Sequence, residues 1–139
     1  MSASSLKYKT ILKCKGHFAD LYQMALEASE KAYAPYSGVK IGAVLELNNG
    51  HRVSGNNQEN GVFPVGVCAE RVALNFIRAN QPEDPIKLLV LASANYKSLL
   101  PCGICRQSLV ETEMIQNQPI QIFTRIDDHY ALFESAREL

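Results

Sequence analysis

Apolar residues recur along this chain with two periods, one helical and one suited to strands. Phe18, Leu21, Tyr22, Ala25, Ala28 and Ala32 fall at helical spacing, which predicts a helix from Phe18 to Tyr33. Pro35, Ser37 and Gly38 end it and begin a turn. Ile41 to Leu47 reads as a strand, Asn49-Gly50 as a tight hairpin turn, and Arg52 to Asn56 as the partner strand. The stretch Asn57 to Val67 carries polar residues and two glycines, so it reads as loop. Cys68 to Ala79 is a second helical pattern, and Lys87 to Ala92 is a continuous apolar strand of the kind buried on both faces. Ser93 to Pro101 reads as loop, Cys102 to about Ile115 as a third helix, and Ile120 to Thr124 as a further strand. The tail from Tyr130 to Leu139 reads as a short strand followed by a helix. Helices alternating with strands imply an α/β domain with helices packed on a mixed sheet. Residues 1–15 are expected to form a loosely held N-terminal arm and residues 16–139 a single domain.

Composition narrows the partners. The 139 residues hold 14 Lys plus Arg and 14 Asp plus Glu, so the formal net charge is zero. A protein gripping a phosphate backbone carries a basic excess or a basic face. The balance therefore argues against a nucleic-acid polymer and for a small neutral ligand. No apolar run approaches the roughly 20 residues that span a bilayer, which argues against a membrane partner. Met1 to Thr10 is polar and lacks the apolar stretch of a signal peptide, so the expected compartment is the cytoplasm. In a reducing compartment, close cysteines are more often metal-binding or catalytic than disulfide-bonded.

The chemistry concentrates in two short segments. Cys102 and Cys105 lie three apart at a predicted helix start, directly after Pro101, so their sulfurs point to one side. Cys68 opens another predicted helix. Unpaired N–H groups and the positive dipole end of a first turn favour thiolate over thiol. Three protein ligands with a fourth position left for water is the pattern of a catalytic zinc site. Cys14 lies in the polar arm without a partner at useful spacing, and His17, His51 and His129 stand outside any ligand-like spacing. A redox Cys-x-x-Cys pair and half of a structural zinc site are the competing readings. Glu70, two residues after Cys68, is alternatively a solvated glutamate favoured by the helix dipole or a carboxylate that moves protons for a metal-activated water. A ligand, one residue, then Glu, followed downstream by Pro-Cys-x-x-Cys, is the signature of zinc deaminases in its three-cysteine form.

Four blocks in order carry a family resemblance: Ala32-Tyr33-Ala34-Pro35-Tyr36-Ser37, Gly55-Asn56-Asn57-Gln58-Glu59-Asn60, Val67-Cys68-Ala69-Glu70-Arg71, and Pro101-Cys102-Gly103-Ile104-Cys105-Arg106-Gln107. From Ala32 to Gln107 the chain resembles the short, homotetrameric class of zinc-dependent cytidine deaminases. The resemblance implies a three-layer α/β/α sandwich around an about five-stranded mixed sheet. It implies one Zn2+ per chain on Cys68, Cys102 and Cys105, with Glu70 relaying protons. It assigns substrate contacts to Asn57 and Glu59 at the ribose, to the Cys68-Ala69 peptide groups at the base edge, and to Val39 and Phe63 by packing. Arg71 and Pro101 would support the ligands from behind, the guanidinium offsetting the negative charge of three thiolates on one zinc. The implied reaction is hydrolytic deamination of cytidine or deoxycytidine in pyrimidine salvage, by a cytoplasmic homotetramer with shared sites.

Val39 and Phe63 stand where family members often have phenylalanine and tyrosine. The family also commonly continues past the position of Leu139 to a phenylalanine that reaches a neighbouring subunit. A smaller Val39 offers less stacking surface. Deamination of a related aminopyrimidine nucleoside, such as a nucleoside antibiotic, is therefore the alternative enzyme reading, and an inactive zinc-binding module is the alternative outside enzymes.

Overall fold

The computed structural model describes residues 6–139. Strands β1 (Lys9–Ile11), β2 (Gly42–Leu47), β3 (Arg52–Asn56), β4 (Ile86–Ala92), β5 (Gln121–Ile126) and β6 (His129–Phe133) form one sheet in the order β1-β6-β5-β4-β2-β3. Only the β4–β5 pair is parallel among these strands, so the sheet is mixed. Helix α3 (Gly103–Gln116) provides the crossover that a parallel pair requires. Helices α1 (Gly16–Glu30) and α2 (Ala69–Asn80) complete the framework.

Alternation along the strands builds two apolar layers. On one face, Leu21 and Ala25 of α1 meet Val44, Val90 and Phe123. On the other, Ala43, Leu45, Leu89, Leu91 and Ile122 pack with Ala73, Ile77 and Leu109 of α2 and α3. The expected α/β/α sandwich is therefore observed, with six strands rather than about five. The extra strand is β1, which lies in the arm that the sequence reading treats as loose. Lys9, Thr10 and Ile11 pair with Leu132, Ala131 and Tyr130, and the β6 edge supplies the hydrogen bonds that a three-residue polar segment cannot organise alone.

Two glycines let helices approach the sheet closely. A Cβ on Gly42 would strike the backbone of Ala25 and Ser29 in α1. One on Gly55 would lie 2.6 Å from the Ala69 carbonyl oxygen and 2.8 Å from the Ala73 nitrogen in α2. Gly55 thus sets the height above β3 of the N-terminal end of α2, the end that Cys68 caps.

The first helix begins earlier and ends earlier than its apolar pattern predicts. Tyr33 instead bridges to Gln58. The tail forms β6 and then only a short 3-10 turn, Ala136–Glu138, rather than a full helix.

Candidate active site

Cys68 is the residue that caps the N-terminus of α2, and Cys102 does the same for α3. Both have extended backbone angles and neither makes a side-chain cap bond, so each cysteine sits at a helix start whose first amides lack intrahelical partners. Cys105 follows in the first turn of α3 and is fully buried. The Cys68 and Cys102 sulfurs are 3.6 Å apart, the Cys102 and Cys105 sulfurs 3.5 Å, and all three lie within 4.8 Å of one another. In a zinc tetrahedron with Zn–S near 2.3 Å, sulfurs stand about 3.8 Å apart, so this triangle fits the ion with little adjustment. Among the described residues, these are the His, Cys, Asp or Glu side chains that converge closely enough to hold a metal together.

The histidines are engaged elsewhere. His17 pairs with Glu46, His51 with Gln81, and His129 with Asp128. Cys14 is partly buried beside the α1-side core, and burial raises its thiol pKa.

The three thiols share charge unequally. Hydrogen bonding from Cys105, then from Cys102 and Arg71, outweighs burial and brings the Cys68 thiol down to about 5. Cys105 moves up because it donates to the Cys68 thiolate and is itself buried. Arg71 lies against the sulfurs of Cys105 and Cys68. Its Nε is buried without a hydrogen-bond partner among the described residues, and a metal-bound thiolate is the acceptor that would satisfy it.

Glu70 occupies the first turn of α2 and is 6% exposed, which removes the reading of a solvated helix-start glutamate. Burial pushes its carboxyl up to about 7, with the Cys68 thiolate adding to that rise. Ala69 is buried beside it.

Three segments lie side by side to build the neighbouring wall. Gln58 exchanges both backbone bonds with Val67, at 2.9 and 2.8 Å, immediately before Cys68. On its other side, Tyr33 donates to the Asn57 carbonyl at 3.0 Å and Glu59 donates to the Tyr33 carbonyl at 2.8 Å. Asn57 and Glu59, two apart, turn their side chains to loop 36–41. Asn57 accepts from the Ile41 N–H at 2.8 Å and donates to the Val39 carbonyl at 2.8 Å. Glu59 accepts from the Tyr36 and Ser37 N–H groups at 3.0 and 3.2 Å. The Ser37 hydroxyl and these amides hold its carboxyl below the usual range. Each side chain keeps unused hydrogen-bonding capacity: one N–H and one lone pair on Asn57, and Oε2 on Glu59.

Val39 is half-buried on that loop, whereas Phe63 is 91% exposed on a 3-10 turn, Phe63–Val65. Val62 and Val65 beside it are 61% and 57% exposed.

Pro101 is buried, and its carbonyl accepts from the Arg106 Nε at 2.8 Å. Leu99 is pinned to β5 by its N–H to the Arg125 carbonyl at 2.9 Å and by Thr124 Oγ1 to its own carbonyl at 2.7 Å. Arg106 carries a supporting role that the sequence reading did not assign. The signal was its position four residues after Cys102, one turn along the same helix face.

A mixed sheet between helix layers, with three converging thiols that suit Zn2+, defines a zinc-binding α/β enzyme domain. The sequence model for the cytidine and deoxycytidylate deaminase zinc-binding region matches residues 17–120, and the chain belongs to that family. Its relatives include the cytidine deaminase of Halalkalibacterium halodurans, 36% identical over 91 residues that cover 66% of this chain and 68% of the relative. The cytidine deaminase of Mycoplasma genitalium is 37% identical over 82 residues, covering 59% of this chain and 62% of that protein. The crystal structure of cytidine deaminase from Burkholderia pseudomallei superimposes with a TM-score of 0.75 at 31% identity, covering 90% of this chain and 97% of that one.

Proposed function

We propose that this protein hydrolyses the exocyclic amine of cytidine or deoxycytidine, yielding the uracil nucleoside and ammonia. The observation that carries the reading is a buried carboxylate, Glu70, in the first turn of the helix that Cys68 caps, with Cys68 itself part of a three-thiol cluster of zinc dimensions. Cys68, Cys102 and Cys105 would hold the ion, which supplies Lewis-acid activation of water. Glu70 takes one proton from the water that attacks C4 of the base and delivers it to N3, then carries the proton of the new C4 hydroxyl to the departing amine as the C4 carbonyl forms. Cytidine and water are thereby converted to uridine and ammonia without an oxidant or a further reactant. Arg71 offsets the single excess negative charge of three thiolates on Zn2+. Pro101, held by Arg106, fixes where Cys102 begins α3.

The free groups of Asn57 and Glu59 suit the hydroxyls of a sugar, the Ala69 turn offers peptide groups to the base edge, and Val39 packs on the base. Cys102 is exposed, as are Val62, Phe63 and Val65 on the segment leading to Cys68. These surfaces support a homotetramer in which a neighbouring chain covers the site and Phe63 finds its packing there. A cytoplasmic role in nucleoside salvage fits this chemistry, and no helix among the described residues is long and apolar enough to cross a membrane.

The test is release of ammonia, with the accompanying ultraviolet change, when zinc-loaded protein meets cytidine. Turnover of cytidine supports the proposal. Consumption of a base-extended aminopyrimidine nucleoside in place of cytidine would replace it with the alternative that the small Val39 side chain favours.

A further inference from the structure

Loop 36–41 carries Val39 and is gripped by three side chains. Asn57 and Glu59 hold it from the β3 side, as described. The third grip comes from Asn95, on the loop that leaves the C-terminal end of β4 and runs on towards Cys102. Asn95 Oδ1 accepts from the Lys40 N–H at 3.2 Å, and Asn95 Nδ2 donates to the Gly38 carbonyl at 2.6 Å. One side chain thus holds the peptide groups on both sides of Val39. Ser93, 8% exposed at the end of β4, supports it from below. Its hydroxyl donates to the Lys40 carbonyl at 2.5 Å and accepts from the Asn95 N–H at 3.3 Å. Gly38 has φ +72, a bend that a side-chain-bearing residue adopts only with strain, so the loop has a defined shape to be held in.

Asn95 itself is exposed, where hydrogen bonds add little to global stability. Geometry is the better account of a four-bond cluster at such a place. We propose that Asn95, backed by Ser93, is a positioning residue that presets Val39 and its flanking peptides against the substrate base. It also ties that loop to the segment delivering Cys102. The proposal rests on the nucleoside-deaminase reading, in which loop 36–41 faces the base.

Contacts at this loop lie away from the reacting carbon, so they are made alike in the bound substrate and the transition state. Losing their preorganisation raises KM and spares kcat. The experiment compares wild type with Asn95→Ala by steady-state kinetics on cytidine, zinc content, and amide hydrogen exchange. The expected result is an about tenfold rise in KM, kcat within about twofold, one zinc per chain in both proteins, and about tenfold faster exchange at residues 38–41. An unchanged KM, or a fall in kcat at constant KM, would overturn the proposal, and so would unchanged exchange at residues 38–41. Failure of the deaminase reading has a separate signature, since wild type itself would then leave cytidine intact while the exchange comparison still judges the clamp.

Discussion

Gly55→Ala tests how the fold sets the site. Strand propensity alone predicts that replacing an interior strand glycine with alanine is neutral or stabilising. The structure predicts the opposite. The new Cβ would sit 2.6 Å from the Ala69 carbonyl oxygen, 2.8 Å from the Ala73 nitrogen and 3.2 Å from the Ala73 Cβ. The first two are helix backbone atoms, which cannot swing aside as the end of a flexible side chain can. Ordinary contact is restored only if the start of α2 withdraws by about 0.8 Å. Overpacking of this kind costs about 2 kcal/mol, which lowers Tm by about 6 °C in a domain of this size. The same displacement carries Cys68 and Glu70 away from Cys102 and Cys105. Metal sites tolerate about 0.2 Å in ligand distance, so zinc affinity should weaken measurably. A shift near 1 Å in a catalytic group costs about 100-fold in kcat/KM. Thermal denaturation, zinc competition with a chromogenic chelator, and cytidine turnover read the three effects. A Gly55→Ala protein with wild-type Tm and wild-type zinc affinity would refute the argument that this glycine sets the height of α2.

Glu113 is buried on α3, where it accepts from the Ile120 and Ala136 N–H groups at 2.8 and 2.7 Å and from Ser135 Oγ at 2.9 Å. Glu113→Ala strands two buried amides and should lower stability by about 3 kcal/mol in chemical denaturation, while an unchanged midpoint would show that the tail is not anchored there. Burial alone would raise the Glu46 carboxyl, but hydrogen bonds from His17, Arg52 and Lys87 outweigh it and hold the pKa below the ordinary 4.5. A depressed carboxylate contributes stability that is fully present above about pH 4.5 and is lost as pH falls through its folded-state value. The stability gap between wild type and Glu46→Gln, measured in urea, should therefore close on acidification, and a gap independent of pH would contradict this. Cys105→Ser removes one of three sulfurs from a buried position and should abolish stoichiometric zinc binding, whereas retention of one zinc per chain would remove Cys105 from the ligand set.

The parts of this fold with strong local signals were legible in the sequence. The apolar run of β4, the Asn49-Gly50 hairpin and the starts of α2 and α3 all carry such signals, and so do the cysteines that open those two helices. What escaped was set by contacts distant in sequence. β1 exists because the β6 edge is available to Lys9–Ile11, and nothing in three mostly polar residues announces that. The burial of Glu46, Glu70 and Glu113 depends on cations, thiols or amides brought from other elements, while composition alone places glutamate outside. Asn95 and Ser93 read as ordinary loop residues, because their partners lie more than 50 positions away. Phe63 shows a different limit. The family resemblance implies a packing contact with substrate for it, and the side chain is 91% exposed in the folded chain.

The central claim is that Glu70 moves protons for a reaction at the three-thiol site. It is tested most directly by following the ultraviolet band of cytidine with wild type and Glu70→Gln, each shown beforehand to hold one zinc per chain. The expected result is conversion to uridine by wild type and a loss of at least about 100-fold in kcat for the variant at equal zinc content. Equal rates in the two proteins would contradict the role of Glu70, and zinc-replete wild type that leaves cytidine unchanged would contradict the reaction itself.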